Sequence, residues 1–116
     1  MGRLSTHVLD VANGRPARGL RIELARVVNG AAEVLVTAMT NADGRTDEPL
    51  LAGNELLTGK YRLQFHVADY FRSVGVADAG KFLDVVPVEF IIDDSTAVYH
   101  VPLLVSPWHY VTYRGC

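Results

Sequence analysis

The chain of 116 residues has little of what several classes of protein require. It contains one cysteine, Cys116, so it cannot form an internal disulfide, and a reducing compartment such as the cytoplasm is expected. Its net charge is −2 and like charges form no block, which argues against nucleic acid or an anionic membrane surface as a partner. No apolar stretch is long enough to cross a bilayer. Residues 1–7 also lack the apolar core of a secretion signal.

The sequence motifs of several kinds of site are missing as well. There is no cysteine pair and no His-x-x-x-His spacing for zinc, no phosphate-binding glycine loop and no Gly-x-Ser-x-Gly elbow. The acidic residues between positions 43 and 48 do not have the spacing of an EF-hand, so we expect them to line a turn.

What the sequence does have is a series of short segments in which apolar and polar residues alternate. This alternation is the period of a half-buried strand. It predicts strands at 4–10, 20–26, 34–39, 61–67, 84–92, 97–105 and 108–114. Asn29-Gly30 is the strongest hairpin signal, because both residues accept a positive φ. Residues 68–75 break the alternation and fit two turns of helix that end at Gly75.

Seven to eight strands with one short helix predict an all-β fold, in the form of a two-sheet β-sandwich. Hydrophobic residues make up 49% of the chain and charged residues 21%, as in an ordinary globular protein. The length is typical of one domain, so we expect residues 1–116 to form a single domain.

Polar residues inside or beside these strands are the candidates for chemistry. His7 and His100 each lie in the middle of a predicted strand, where an imidazole must find hydrogen-bond partners or cost stability. Arg45 follows a turn, which is where a rigid scaffold displays functional groups. Tyr113 ends the last strand, where a phenol reaches both core and water. For each of these residues a purely structural role is the alternative.

The other two histidines are expected to have no functional role. His66 is predicted to be an exposed residue of a strand, next to polar neighbours, and His109 follows a proline in a turn.

Several segments, in order along the chain, together carry a family resemblance. They are residues 4–10 with 14–17, the turn 40–45, residues 59–63 and 69–71, residues 99–104 with Ser106-Pro107, and Tyr113-Arg114-Gly115 at the end. In this order the segments resemble the transthyretin-like 5-hydroxyisourate hydrolases over nearly the whole chain. Transthyretin itself lacks the two histidines and the terminal signature, so the hydrolase branch is the better match.

The resemblance implies a transthyretin-like β-sandwich, assembled as a homotetramer that is a dimer of dimers, with active sites in a channel where two dimers meet. The implied reaction is the hydrolysis of 5-hydroxyisourate, which opens the six-membered ring, and no metal or organic cofactor is implied. The residues implied to be catalytic are His7, Arg45 and His100, and those implied to contact the substrate are His7, Arg45, Tyr113, Arg114 and Cys116. Either histidine can serve as the base that activates water.

Cys116 is the main departure, because the family normally ends in serine. A thiol is a weaker hydrogen-bonding group than a hydroxyl and is more acidic. It either replaces the serine as a hydrogen-bonding terminal residue or acts as a thiolate nucleophile beside a histidine. Two other functions remain open at this point: a non-catalytic protein that binds a planar ligand in the channel, and a structural β-sandwich that acts through its edges.

Overall fold

The computed structural model describes residues 2–115 and confirms the all-β sandwich with one short helix. Cys116 lies outside the described residues. The strands are β1 (Arg3–Asp10), β2 (Arg15–Pro16), β3 (Arg21–Val28), β4 (Ala31–Met39), β5 (Leu51–Ala52), β6 (Gly59–His66), β7 (Val85–Ile92), β8 (Val98–Val105) and β9 (Tyr110–Thr112). The helix α1 covers Val67–Ser73, and a single 3₁₀ turn covers Gly53–Glu55.

The strands form two sheets. One sheet has the order β2-β1-β8-β9, with β5 also paired to β1, and the other has the order β4-β3-β6-β7. Every pairing is antiparallel except that of β1 with β8, which run in the same direction side by side. Because parallel strands need a long connection, the two central strands of the first sheet come from opposite ends of the chain.

The core lies between the two sheets and is formed by the apolar residue at every second position of the strands. Leu4 and Val8 of β1, together with Leu63 and Phe65 of β6, have no exposed surface. Burial of a side chain of this size contributes about 1.5–3 kcal/mol relative to leaving it exposed. The alternation therefore determines which residues of each strand remain on the outer face and are free for other roles.

Helix α1 covers one end of this core. It buries Val67, Ala68, Tyr70 and Phe71. Within residues 2–115 no helix has the length and apolar character to span a membrane. Gly75 follows the helix with a φ of 77°, in agreement with the predicted stop.

The predicted hairpin and strands are found with shifted ends. Asn29 and Gly30 both have positive φ, 52° and 79°, as the hairpin between β3 and β4 requires. The last strand is shorter than predicted, because Ser106 closes a turn over the first residues of 108–114 by donating its backbone N–H to the carbonyl of His109. Strands β2 and β5 were not predicted, since two residues are too few to show alternation.

A buried carboxyl ties the end of β1 to α1. Asp10 is only 1% exposed, and its Oδ2 accepts a 2.7 Å hydrogen bond from the Tyr70 hydroxyl. The backbone and side-chain nitrogens of Asn13 supply two further hydrogen bonds to the same carboxyl. Burial, followed by the hydrogen bond and the charge of Asp10, raises the pKa of Tyr70 to about 12. The phenol therefore remains a donor at all ordinary pH values.

We expect Tyr70→Phe to lower the free energy of unfolding by about 1.5–3 kcal/mol, because the buried Asp10 carboxyl loses a donor. The change is measured as a shift in the midpoint of chemical denaturation, with the dependence of the free energy of unfolding on denaturant concentration unchanged. Tyr110→Phe is the control: this phenol is 37% exposed on β9, and its change should be within about 0.5 kcal/mol. Equal effects of the two changes would contradict a special role for the Asp10 contact.

Candidate active site

Two histidines share the outer face of the first sheet. In β1 the residues Leu4, Thr6, Val8 and Asp10 are buried, so the alternate residues, His7 among them, point away from the core. His100 of β8 is half-buried between the buried residues Tyr99 and Val101. The parallel register places Ser5 opposite His100 and His7 opposite Pro102. The two imidazoles therefore lie on the same face of adjacent strands.

Arg45 reaches this face from a turn that packs on β1. The Asn41 side chain accepts hydrogen bonds from the backbone N–H groups of Asp43 and Arg45 and so closes the turn. The Gly44 carbonyl accepts a 2.8 Å hydrogen bond from the Val8 N–H. The backbone of Arg45 also pairs with that of His7 in an isolated antiparallel β-bridge. Gly44 has a φ of 75° and lies against the Val8 carbonyl, where a side chain would not fit. The turn is thus held against β1, with Arg45 beside His7.

A residue that the sequence did not single out completes this surface. Ser5 Oγ lies 2.9 Å from His100 Nδ1, a hydrogen bond between residues 95 positions apart. The period of β1 places Ser5 on the same face as His7, but only the pairing with β8 brings it to His100. We call Ser5, His7, Arg45 and His100 the histidine patch.

The histidine patch keeps its imidazoles neutral. Burial lowers the pKa of both His7 and His100 below 6.5, and the positive charge of Arg45 lowers it further. Each imidazole would gain a proton next to a guanidinium that is always charged. At neutral pH the patch therefore presents two uncharged rings and one permanent cation, which is a suitable set of groups for moving a proton and stabilising a developing anion.

The end of the chain holds the His100 ring from the other side. The Gly115 N–H donates a 2.7 Å hydrogen bond to the His100 carbonyl. A Cβ built on Gly115 would lie 2.7 Å from Cδ2 of the imidazole. Only glycine allows the chain to lie this close to the ring, so residue 115 and Ser5 together fix where His100 lies. The predicted site residue Cys116 follows directly, outside the described residues.

The structure does not bring the other two predicted site residues to the histidine patch within one chain. Tyr113 and Arg114 line a cavity of about 350 Å³ between β7 and β9. The Arg114 guanidinium carbon lies 4.3 Å from the centroid of the Tyr99 ring, and Tyr99 belongs to the core side of β8. Arg114 is therefore directed to the opposite side of the sheet from His100.

The prediction that His66 is exposed was wrong. Its side chain is 16% exposed, and its Nε2 lies 2.6 Å from a Glu23 carboxylate oxygen on the neighbouring strand β3. His66 belongs to the other sheet and takes no part in the histidine patch. Residues 2–115 contain no cluster of three or more His, Cys, Asp or Glu side chains placed to hold a metal ion.

Among known protein families, residues 4–115 match the model described as "Transthyretin: HIUase/Transthyretin family". The curated protein 5-hydroxyisourate hydrolase 2 of Rhizobium meliloti (strain 1021) is 54% identical over 115 residues, which cover 98% of this chain and 96% of that protein.

Solved structures show the same fold. The crystal structure of (S)-allantoin synthase matches 99% of this chain with a TM-score of 0.92 and 44% identity, and this chain spans 44% of that protein's length. The structure of Klebsiella pneumoniae 5-hydroxyisourate hydrolase matches over the whole of both chains, with a TM-score of 0.82 and 33% identity.

We expect Gly115→Ala to displace the His100 imidazole, because the added methyl group would occupy the space of Cδ2. The displaced ring becomes more hydrated, so its pKa should rise toward 6.5. An NMR titration of the histidine side chains measures this shift. His66, on the other sheet, and the variant Val34→Ala on β4 serve as controls that should not change. An unaltered His100 midpoint in Gly115→Ala would contradict the contact.

Proposed function

The chain belongs to the HIUase/transthyretin family, and we propose that it is an enzyme that hydrolyses 5-hydroxyisourate to 2-oxo-4-hydroxy-4-carboxy-5-ureidoimidazoline in the degradation of urate. The observation that carries this proposal is the histidine patch: two neutral imidazoles and Arg45 on one open sheet face. The identity to 5-hydroxyisourate hydrolase 2 of Rhizobium meliloti over nearly the full length supports the same substrate. A channel that only binds a planar ligand needs no base, so the patch favours the enzyme.

The reaction adds one water molecule across one C–N bond of the six-membered ring. The water oxygen forms a bond to the ring carbonyl carbon while a neutral imidazole, His7 or His100, takes its proton, and the carbonyl electron pair moves onto oxygen. The carbonyl then re-forms as the bond to the ring nitrogen breaks, and that nitrogen takes the proton from the imidazolium. The two fragments of the broken bond are the carboxyl and ureido groups of the product.

Arg45 stabilises the charge in this scheme. Its guanidinium is permanently cationic and offers a planar set of donors to an oxygen that becomes negative. Among the remaining residues, we assign a substrate contact to Cys116, which follows Gly115. Within one chain Tyr113 and Arg114 line a cavity away from the histidine patch, so we assign their substrate contacts to the assembled protein, in which a second copy adjoins the patch. None of the steps requires a metal ion or an organic cofactor.

We further propose that four chains assemble as a dimer of dimers and that the enzyme works in the cytoplasm, where the lone Cys116 stays reduced. The histidine patch lies on an open sheet face, which a second copy can cover to exclude bulk water. Strands β7 and β9 are the free edges at one end of the two sheets. They expose Ile91 and Val111, 56% and 43% accessible, which suit pairing between copies.

We expect His7→Ala and His100→Ala each to reduce kcat/KM about 10²–10⁴-fold, and Arg45→Ala to reduce it about 10²–10³-fold. The assay follows the ultraviolet absorbance of freshly generated 5-hydroxyisourate after protein is added. His66→Ala is the control and should keep its activity, because His66 lies on the other sheet. Wild-type protein that does not accelerate the decay over buffer would exclude the hydrolase and favour the binding protein.

We expect the wild-type protein to sediment with four times the chain mass of 12.7 kDa. Val111→Lys places a charge on the β9 edge and should shift the protein to smaller species. Val34→Lys is the matched control, because Val34 is 54% exposed on β4 at the opposite edge of the sandwich. A wild-type mass of one chain, or equal effects of the two lysines, would contradict assembly through β9.

A further inference from the structure

The hydrogen bond between Ser5 and His100 assigns different roles to the two histidines, an inference that rests on the proposed hydrolase function. Ser5 Oγ and His100 Nδ1 are 2.9 Å apart. Among residues 2–115, Nδ1 is the hydrogen-bond partner that the structure gives to this hydroxyl. A serine has one O–H to donate, and a neutral imidazole has one nitrogen that accepts and one that donates.

The geometry favours Ser5 as the donor in this pair. If the hydroxyl donates its hydrogen bond to Nδ1, the serine O–H has an acceptor and the single proton of the neutral imidazole lies on Nε2. Gly115 packs along the Cδ2 edge and the parallel register fixes Ser5 opposite, so the ring is held from two sides. Nε2, the distal nitrogen, is then left with an N–H to donate to a bound substrate.

His7 lies in a different environment, in an isolated β-bridge with Arg45 at the turn that contains Asp43. The influence of the Asp43 backbone and carboxylate favours the charged form of His7. It opposes the larger effects of burial and of Arg45, which lower the His7 pKa. Among residues 2–115, burial, Arg45 and His7 all act on the pKa of His100 in the same direction and lower it. A neutral His7 ring has one nitrogen without a proton, and this nitrogen can take one.

We propose that Ser5 is a positioning residue that keeps the His100 proton on Nε2, so that His100 acts as a hydrogen-bond donor and His7 acts as the general base. In the hydrolysis, His7 takes the proton of the attacking water and returns it to the departing ring nitrogen. The Nε2–H of His100 donates to the carbonyl oxygen as the electron pair moves onto it. His100 ends each turnover with the proton it began with.

The first test is spectroscopic and does not depend on activity. In long-range ¹H–¹⁵N spectra at pH 7.5, wild-type His100 should carry its proton on Nε2. Ser5→Ala should release this preference and give a mixture of tautomers, and Ser5→Thr, which keeps the hydroxyl, should restore it. Ser5→Ala should also lower kcat about 10–100-fold, the size of loss seen when a residue that orients a metal-ligating imidazole is changed. A wild-type proton on Nδ1 would overturn the proposal.

The second test separates the base from the donor by pH profile. Glutamine can donate an N–H but takes no proton near neutral pH. His100→Gln should therefore keep the fall in kcat/KM below pH 6.5, because this fall reports protonation of His7. His7→Gln should lose that fall together with about 10²–10⁴-fold of kcat/KM.

The opposite pattern, with the acidic fall lost in His100→Gln and kept in His7→Gln, would exchange the two roles and overturn the proposal. Failure of wild-type protein to hydrolyse 5-hydroxyisourate would overturn the proposed function instead. The tautomer of His100 in wild type, Ser5→Ala and Ser5→Thr would still decide whether Ser5 positions the ring.

Discussion

The functional surface depends on the parallel pairing of β1 with β8. This pairing runs along all eight residues of β1, from Arg3 beside Val98 to Asp10 beside Val105. A slip of one residue would exchange the faces of a strand, because successive side chains point to opposite sides of a sheet. The buried residues Leu4 and Val8 oppose such a slip. The burial that stabilises the sandwich therefore also sets the register in which His7, His100 and Ser5 meet.

The histidines of this protein show how their neighbours determine their chemistry. His66 lies 2.6 Å from a Glu23 carboxylate oxygen on the other sheet. His7 and His100 lie near Arg45, which together with burial favours neutral rings. All of them are half-buried histidines of β-strands, so burial alone does not distinguish them. What distinguishes His7 and His100 is that the Arg45 guanidinium adds to the effect of burial, so both rings are neutral and can accept a proton or donate one N–H.

Much of the fold was predictable because alternation is a local property. The strands at 20–26 and 61–67, the Asn29-Gly30 hairpin and the short helix were found close to where the sequence placed them. The resemblance to the hydrolases correctly indicated the family. Ser5 was missed because a serine in a strand carries no signal of its own, and its partner is 95 positions away. The position of Arg114 over Tyr99 likewise depends on how the last residues cross β8.

The sequence by itself determined which residues of each strand face outward, where the chain turns, and that two imidazoles and a guanidinium were available for chemistry. These follow from alternation and from the backbone preferences of glycine and asparagine, which act over a few residues. Only the tertiary structure decided that Ser5 lies beside His100, that Gly115 packs on its ring, and that Arg45 lies beside His7. Those contacts join distant segments through one register, and a register between distant strands results from packing of the whole core.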